Sequence, residues 1–325
     1  MKALPKVFIS EPISPAGTDL LKGIASIVQA PDTSKQTTLS LIGEADAAIL
    51  RATTVFDKEV IRKGVNLKAI VRTGIGVNNV DLRSAGEQGI FVCNTPGTND
   101  ETVAEHTLAL ILAFAKQIFV MDKAVRTQQW KERFSPNQMD VKGKLVGIIG
   151  YGNIGRATAR FCQNLGMQIL VYDPFVSVSA SGVSFTSDIA TVFRESDFVC
   201  LHCPVTSLTQ KFIGESCLRL MKPAAFLINT SRGELIDEDA LVAALRDKKM
   251  AGAALDVFAE EPLPPNSPLL QFSNVILSPH VAGSTKESNE RIAMAAAQAV
   301  IDTLAGKTPR HICNQAFLSL EQKSK

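Results

Sequence analysis

The chain has 325 residues, a length that suggests about two domains. With 46% hydrophobic and 20% charged residues its composition is that of an ordinary globular protein. The 34 basic and 32 acidic residues are spread along the chain and leave a net charge of +2, so there is no electrostatic footprint for nucleic acid or for an anionic membrane surface. Six cysteines, at 93, 162, 200, 203, 217 and 313, fall mostly within apolar runs, as expected of reduced thiols in a cytoplasmic protein. Cys200 and Cys203 form a CxxC. No second pair lies close, and strand residues i and i+3 face opposite sides, so strand packing is expected there and no metal site.

The N-terminus, MKALPKVFIS, lacks the apolar stretch and cleavage site of a signal peptide and reads as a first strand. Over the first hundred residues, strands near 7–9, 47–50, 69–72 and 91–93 alternate with helices, which predicts a small α/β domain. The most apolar window, 103–115, carries Glu105 and His106, is too short to span a bilayer, and reads as a buried helix.

The stretch KLVGIIGYGNIGRATARFCQNLGMQILVYD, 144–173, is the most informative in the chain. An apolar run at 145–149 enters a turn holding Gly150, Tyr151, Gly152, Asn153, Ile154 and Gly155, followed by helical spacing and a second apolar run, 169–172, ending at Asp173. In such a unit the first glycine makes the tight turn, the second lets a pyrophosphate approach the backbone, and the third lets helix and sheet pack closely. Free N–H groups at the helix N-terminus then face the phosphates. Asp173 lies 18 residues beyond Gly155, near the ~20 expected for the acid that holds an adenosine ribose. A carboxylate there repels a 2′-phosphate, so NAD is expected over NADP.

Beyond Asp173 the pattern predicts a strand at 198–203, a helix at 213–221, a strand at 225–229, a helix at 237–248 and strands at 253–257 and 275–277. Residues 102–284 thus make one Rossmann-type cofactor domain. The long helix at 284–305 and the tail through His311 have no strand partner in it and are expected to return to the small domain, giving a substrate domain of 1–101 with 285–325. No appended regulatory module is expected after the last helix.

Six ordered segments resemble the successive signatures of the D-isomer-specific 2-hydroxyacid dehydrogenases, a family that includes 3-phosphoglycerate and hydroxypyruvate/glyoxylate enzymes. They are RTGIGVNNVDL (72–82), NTPGTNDETVAEHTLALIL (94–112), GIIGYGNIGR (147–156), MKPAAFLINTSRGELIDEDAL (221–241), LDVFAEEP (255–262) and SPHVAGST (278–285). The resemblance implies two Rossmann-like α/β domains with parallel sheets, the NAD-binding one inserted into a smaller flavodoxin-like one. It implies hydride transfer between NADH and a small anionic 2-oxo acid, in a homodimer whose contact involves the 103–115 helix.

The catalytic set implied is Arg232, Glu261 and His280, and each residue type suits its task. Histidine both gives and takes a proton near neutrality. A neighbouring carboxylate, Glu261, stabilises its imidazolium. Arginine presents a planar fork of donors that pairs with a carboxylate at any working pH. By the same resemblance Cys203, Thr230 and Asp256 border the ribose and nicotinamide, and Ile75 and Gly76 offer backbone N–H groups to the substrate carboxylate. Arg51 and Arg72 end adjacent strands, where phosphoglycerate dehydrogenases place basic residues for a phosphate; two solvated arginines are the alternative. His106, His202 and His311 are read as structural, with a place near the cofactor open to His202. Asn78, Ser231 and Glu234 depart from the commoner Asp, Ala and Gly, which weakens transfer of any one member's substrate.

Two other readings compete. One is a non-enzymatic NAD-sensing scaffold, which an intact Arg, Glu and His set opposes. The other is a formate or phosphite dehydrogenase; the first carries Gln where Glu261 stands and the second Lys at the place of Ile75.

Overall fold

The structure, a computed structural model, describes residues 3–134, 138–176 and 181–319. The chain divides into two compact units, Met1–Asn99 with Ser284–Lys325, and Asp100–Gly283.

The first unit runs β1 (Lys6–Ile9), α1 (Pro15–Leu21), β2 (Ser26–Gln29), α2 (Lys35–Leu41), β3 (Ala47–Leu50), α3 (Lys58–Lys63), β4 (Ala69–Arg72), α4 (Leu82–Glu87) and β5 (Phe91–Cys93). Side chains that accept from first-turn amides start each helix: Ser14, Ser34, Asp57 and Asp81. The strands pair in parallel in the order β2-β1-β3-β4-β5, the flavodoxin-like order. Helices cover both faces, so a central strand such as β3 (AAIL) is buried at every position and reads as a continuous apolar run. β2 escapes sequence reading because it is an edge strand with three of its four residues exposed.

The second unit contains α5 (Asp100–Ala115), α6 (Ile118–Arg126), β6 (Leu145–Ile149), α7 (Asn153–Asn164), β7 (Gln168–Tyr172), β8 (Val183–Phe185), α8 (Ile189–Glu195), β9 (Phe198–Leu201), α9 (Glu215–Leu218), β10 (Phe226–Asn229), α10 (Glu238–Arg246), β11 (Gly252–Leu255) and β12 (Val275–Leu277). Its seven parallel strands are ordered β12-β11-β10-β9-β6-β7-β8. Chain direction across the sheet reverses between β6 and β9, and the C-terminal strand ends at such a switch point are where open α/β sheets take ligands.

One face of this sheet packs Val199, Leu227 and Leu255 against Val192, Phe193, Leu241 and Leu245. The other packs Val146, Ile148, Val171 and Ile228 against Ile111, Phe114 and Ala159. Cys162 and Cys200 sit in that second layer as small apolar side chains, their thiols pushed up by burial.

Several sequence expectations run too long: the strand at 253–257 ends at Leu255, and the helix at 237–248 at Arg246. The strand at 198–203 ends at Leu201, and His202 and Cys203 leave the sheet. The helix at 213–221 shrinks to Glu215–Leu218, because the Ile213 N–H donates to Leu235 O and its carbonyl accepts from Asp237 N, leaving neither group for a helix.

The last helix, α11 (Lys286–Leu304), belongs to the first unit, where it packs on α1. The approach needs glycine at 17, since a Cβ there would lie 2.6 Å from the Ala293 carbonyl oxygen. Beyond it, Ile312 bridges antiparallel to Cys93, and the Asn314 side chain accepts from Val92 N and donates to Ile90 O. Among the described residues no helix is long and apolar enough to cross a membrane.

Candidate active site

In the second unit β6 delivers the chain into the glycine turn at the switch point. Gly150 has φ +98°, and a Cβ on it would lie 2.7 Å from Cys203 N and His202 C, so neither its conformation nor its space admits a side chain. A Cβ at Gly155 would lie 2.2 Å from Gly150 O, the close helix-to-strand contact the spacing anticipates. A Cβ at Gly152 would meet nothing within 4 Å. That position opens onto free space at the start of α7, whose first turn has no side-chain cap. The Asn153–Asn164 helix therefore presents uncapped N–H groups beside an open glycine, which fits a pyrophosphate.

Asp173 follows β7 and accepts from Tyr151 N (2.7 Å) on Oδ2 and from Phe175 N (2.9 Å) on Oδ1. Each oxygen keeps a lone pair for ribose hydroxyls. Burial and the Asp173 charge push the Cys203 thiol up to about 11, so it stays protonated at neutral pH. Cys203 O accepts from the Ser231 hydroxyl (2.7 Å). Thr230 is buried, and its hydroxyl donates to Thr107 Oγ1 (2.9 Å), which itself donates to Val103 O. His202 bonds Thr158 Oγ1 through Nε2 at 3.0 Å. Burial brings its ring down to about 4, and its covered Nδ1 has no partner among the described residues.

The three catalytic candidates come from successive strand ends of this sheet. Arg232 follows β10, held by Asn229, whose side chain donates to Arg232 O (2.8 Å) and accepts from Ser231 N (3.0 Å). Its Nη1 donates to Ser231 O at 2.6 Å, leaving other guanidinium donors for a ligand. Gly233 lets this loop lie on the next one: a Cβ there would be 1.9 Å from the Phe258 carbonyl carbon. That next loop carries Glu261, whose Oε1 accepts from Phe258 N (3.0 Å) and whose Oε2 meets His280 Nδ1 at 2.7 Å.

A carboxylate only accepts, so His280 Nδ1 carries the proton and Nε2 is the ring nitrogen left for a substrate. Half of the His280 side chain is exposed, which suits a group that must meet a ligand. Its backbone is left-handed, φ +53°. Asp256, fully buried, has its carboxylate committed to this turn, accepting from Ser278 Oγ, Val281 N and Ala282 N. His106 on α5 also meets this cluster, at Ser278. Sequence reading missed that contact because nothing local links α5 to the end of β12.

In the first unit the 74–76 turn follows β4. Thr95 Oγ1 accepts from Gly74 N (2.8 Å) and the Asn94 side chain donates to Ile75 O (2.8 Å). The N–H groups of Ile75 and Gly76 have no acceptor among the described residues. Leu50 pairs with Arg72, so Arg51 and Arg72 stand at neighbouring strand ends. Arg51 Nη1 donates to Pro12 O (3.2 Å) and lines a cavity with Ser14, Thr73, Lys286 and Asn289. Arg72 turns over Gly74 and donates to Thr73 O. Lys286 and Asn289 are residues the sequence did not single out, being far along the chain on α11.

A family model described as the NAD binding domain of D-isomer specific 2-hydroxyacid dehydrogenases matches residues 108–282. A glyoxylate reductase from Thermofilum pendens is 39% identical, over 99% of this chain and 98% of that protein. A D-3-phosphoglycerate dehydrogenase from a Synechocystis strain is 40% identical over 96% of this chain, which spans only 56% of that longer protein. The crystal structure of the TT0316 protein from Thermus thermophilus superposes with a TM-score of 0.87 at 32% identity, over 95% of this chain and 99% of the other.

Proposed function

Because the chain belongs to the D-isomer specific 2-hydroxyacid dehydrogenase family, whose members are NAD-dependent oxidoreductases acting on the CH–OH group of 2-hydroxy acids, we propose that Arg232, Glu261 and His280 perform that reaction here. The observation that carries the proposal is the 2.7 Å contact of His280 Nδ1 with Glu261. It fixes the ring orientation and leaves Nε2–H of the imidazolium to protonate the substrate's carbonyl oxygen, while Glu261 balances the charge. Arg232 pairs with the substrate carboxylate and draws electron density from the adjacent carbonyl. Bound NADH supplies the hydride. We assign the pyrophosphate to the Gly150–Gly155 turn with Tyr151, Asn153 and Ile154, the ribose to Asp173, and the flanking positions to Cys203 and Thr230; Asp256, expected beside them, is fully buried with its carboxylate committed to the His280 turn and supports the site from behind. Asp173 supports NAD over NADP.

For the substrate we favour 3-phosphohydroxypyruvate, interconverted with D-3-phosphoglycerate; within the first unit the resemblance gives the Ile75 and Gly76 amides an anion to hold and Arg51 and Arg72 a second one. The cavity at Arg51 and the similarity to phosphoglycerate dehydrogenases support this. Reduction of glyoxylate or hydroxypyruvate is the second reading, supported by relatives of equal similarity; a sulfonate analogue such as sulfolactate stands behind both. NADH oxidation across glyoxylate, hydroxypyruvate, 3-phosphohydroxypyruvate and sulfopyruvate tests the choice. The highest kcat/KM on the phosphorylated acid supports the first reading, and a preference for glyoxylate overturns it.

We also assign a homodimer contact. The 103–115 helix is turned largely inward, with Val103, Leu110, Ile111 and Phe114 buried. Exposed apolar side chains follow it in the chain at Ile118, Phe119, Val120, Val125, Trp130 and Phe134, and we assign the contact to that segment together with the helix. Sedimentation of the full chain as a monomer at micromolar concentration would overturn this assignment.

A further inference from the structure

The turn that carries His280 is held by a network that reaches back to α5. Asp256 Oδ1 accepts from the Ser278 hydroxyl (2.6 Å) and from Val281 N (3.0 Å), and Oδ2 accepts from Ala282 N (2.8 Å). The His280 N–H donates to Asp256 O at 2.8 Å. His280 lies between these bonds at φ +53°. A histidine keeps that left-handed conformation where its neighbours over-determine it, and here they are the backbone carbonyls of Asp256 and Ser278 on its own N–H and, on either side, a carboxylate with 1% of its side chain exposed.

Ser278 has a single hydroxyl proton, and Asp256 takes it. The other side-chain partner of Ser278 Oγ among the described residues is His106 Nε2, at 3.4 Å, so the hydroxyl oxygen must accept there and His106 must donate. The same nitrogen lies 3.9 Å from Asp256 Oδ1, and the His106 side chain is only 27% exposed. One residue on, Thr107 bonds Thr230 at the end of β10 (2.9 Å), so α5 is registered against the same row of strand ends that presents Arg232 and His280.

We propose that His106 is a positioning residue for the reaction. Its Nε2–H donates to Ser278 and faces Asp256, fixing the direction of that carboxylate and so of the backbone that aims His280 Nε2. The proposal rests on the reading of His280 as the proton donor. A neutral hydrogen bond contributes about 0.5–1.5 kcal/mol, which corresponds to roughly two- to twelvefold in rate.

The test is a double-mutant cycle of His106→Leu and Ser278→Ala, with His106→Gln as the conservative variant whose amide reaches as far as Nε2. Steady-state kinetics with the best 2-oxo acid, NADH affinity by fluorescence, and Tm are read for each. His106→Leu lowers kcat by roughly two- to twelvefold while KM for the acid and the NADH Kd stay within about twofold. His106→Gln recovers most of the loss. Adding His106→Leu to Ser278→Ala costs nothing further, because the histidine acts through the serine. An unchanged kcat, independent multiplication of the two losses, or a Gln variant no better than Leu overturns the proposal. If the Leu variant has a depressed Tm, His106→Asn, whose amide stops short of Ser278, carries the same comparison. His280→Ala separates the two claims: full activity there sinks the reading of His280 itself, whereas an inactive His280→Ala beside an unimpaired His106→Leu sinks only this inference.

Discussion

His280 can be both fixed and available because its two ring nitrogens have separate duties. Nδ1 donates to Glu261 at 2.7 Å, and the carboxylate is itself anchored by Phe258 N. Glu261→Gln keeps the shape but takes the charge from the group that meets Nδ1, so, if His280 has the proposed role, kcat for reduction should fall while the NADH Kd stays unchanged. An unchanged kcat would show that Glu261 is not the partner. His202 is the opposite case, a ring kept neutral by burial down to about 4. An unfolded histidine takes its proton at ~6.5. The stability owed to the neutral ring is therefore complete above that pH and is lost as pH falls toward 4, by at most about 3 kcal/mol. Thermal melts of His202→Gln between pH 6.5 and pH 4 should be less pH-sensitive than those of wild type. Parallel slopes would contradict this.

At the scale of elements, the turn between β6 and α7 separates two kinds of glycine. Gly155→Ala would place a Cβ 2.2 Å from a backbone oxygen that cannot move without the strand, whereas Gly152→Ala would meet no protein atom within 4 Å. The first substitution should lower both Tm and NADH affinity. The second should leave Tm in place and weaken NADH alone, because its methyl stands where a phosphate must approach. Loss of Tm in Gly152→Ala, or unchanged NADH binding, would contradict the assignment. This unit was readable from sequence because both of its strands are buried on both faces and its turn needs glycines at fixed spacing. The same reasoning explains what was missed. β2 and β8 are edge strands with weak apolar signal, and the apolar spacing after Ile213 looked helical although its backbone is bonded to the segment before α10. The Glu261 and His280 pair could be read from local motifs, but the Asp256 brace and its contact with His106 could not. They depend on how α5 registers against the ends of β11 and β12, which no local pattern encodes.

For the whole molecule, the family settles the class of reaction and leaves the acid to particular side chains. Arg51 stands in a cavity with Lys286 and Asn289 of α11, more distant in the chain, and meets them because α11 returns to the first unit. Charged hydrogen bonds contribute about 1.5–3 kcal/mol, so Arg51→Ala should raise KM for 3-phosphohydroxypyruvate by roughly tenfold or more. Glyoxylate, with no second anion, should be nearly unaffected. Equal losses on both acids would show that Arg51 does not read a distal charge.

His280 is proposed to deliver the proton in an NADH-dependent reduction of a 2-oxo acid. The most direct test of that role is the kcat of wild type and His280→Ala on the best acid of the panel at saturating NADH, with NADH affinity measured in parallel. Wild type should turn over, the variant should lose ~10²–10⁴-fold, and the NADH Kd should be unchanged. A variant that turns over as wild type does, or a wild type inactive on every 2-oxo acid tested, would contradict it.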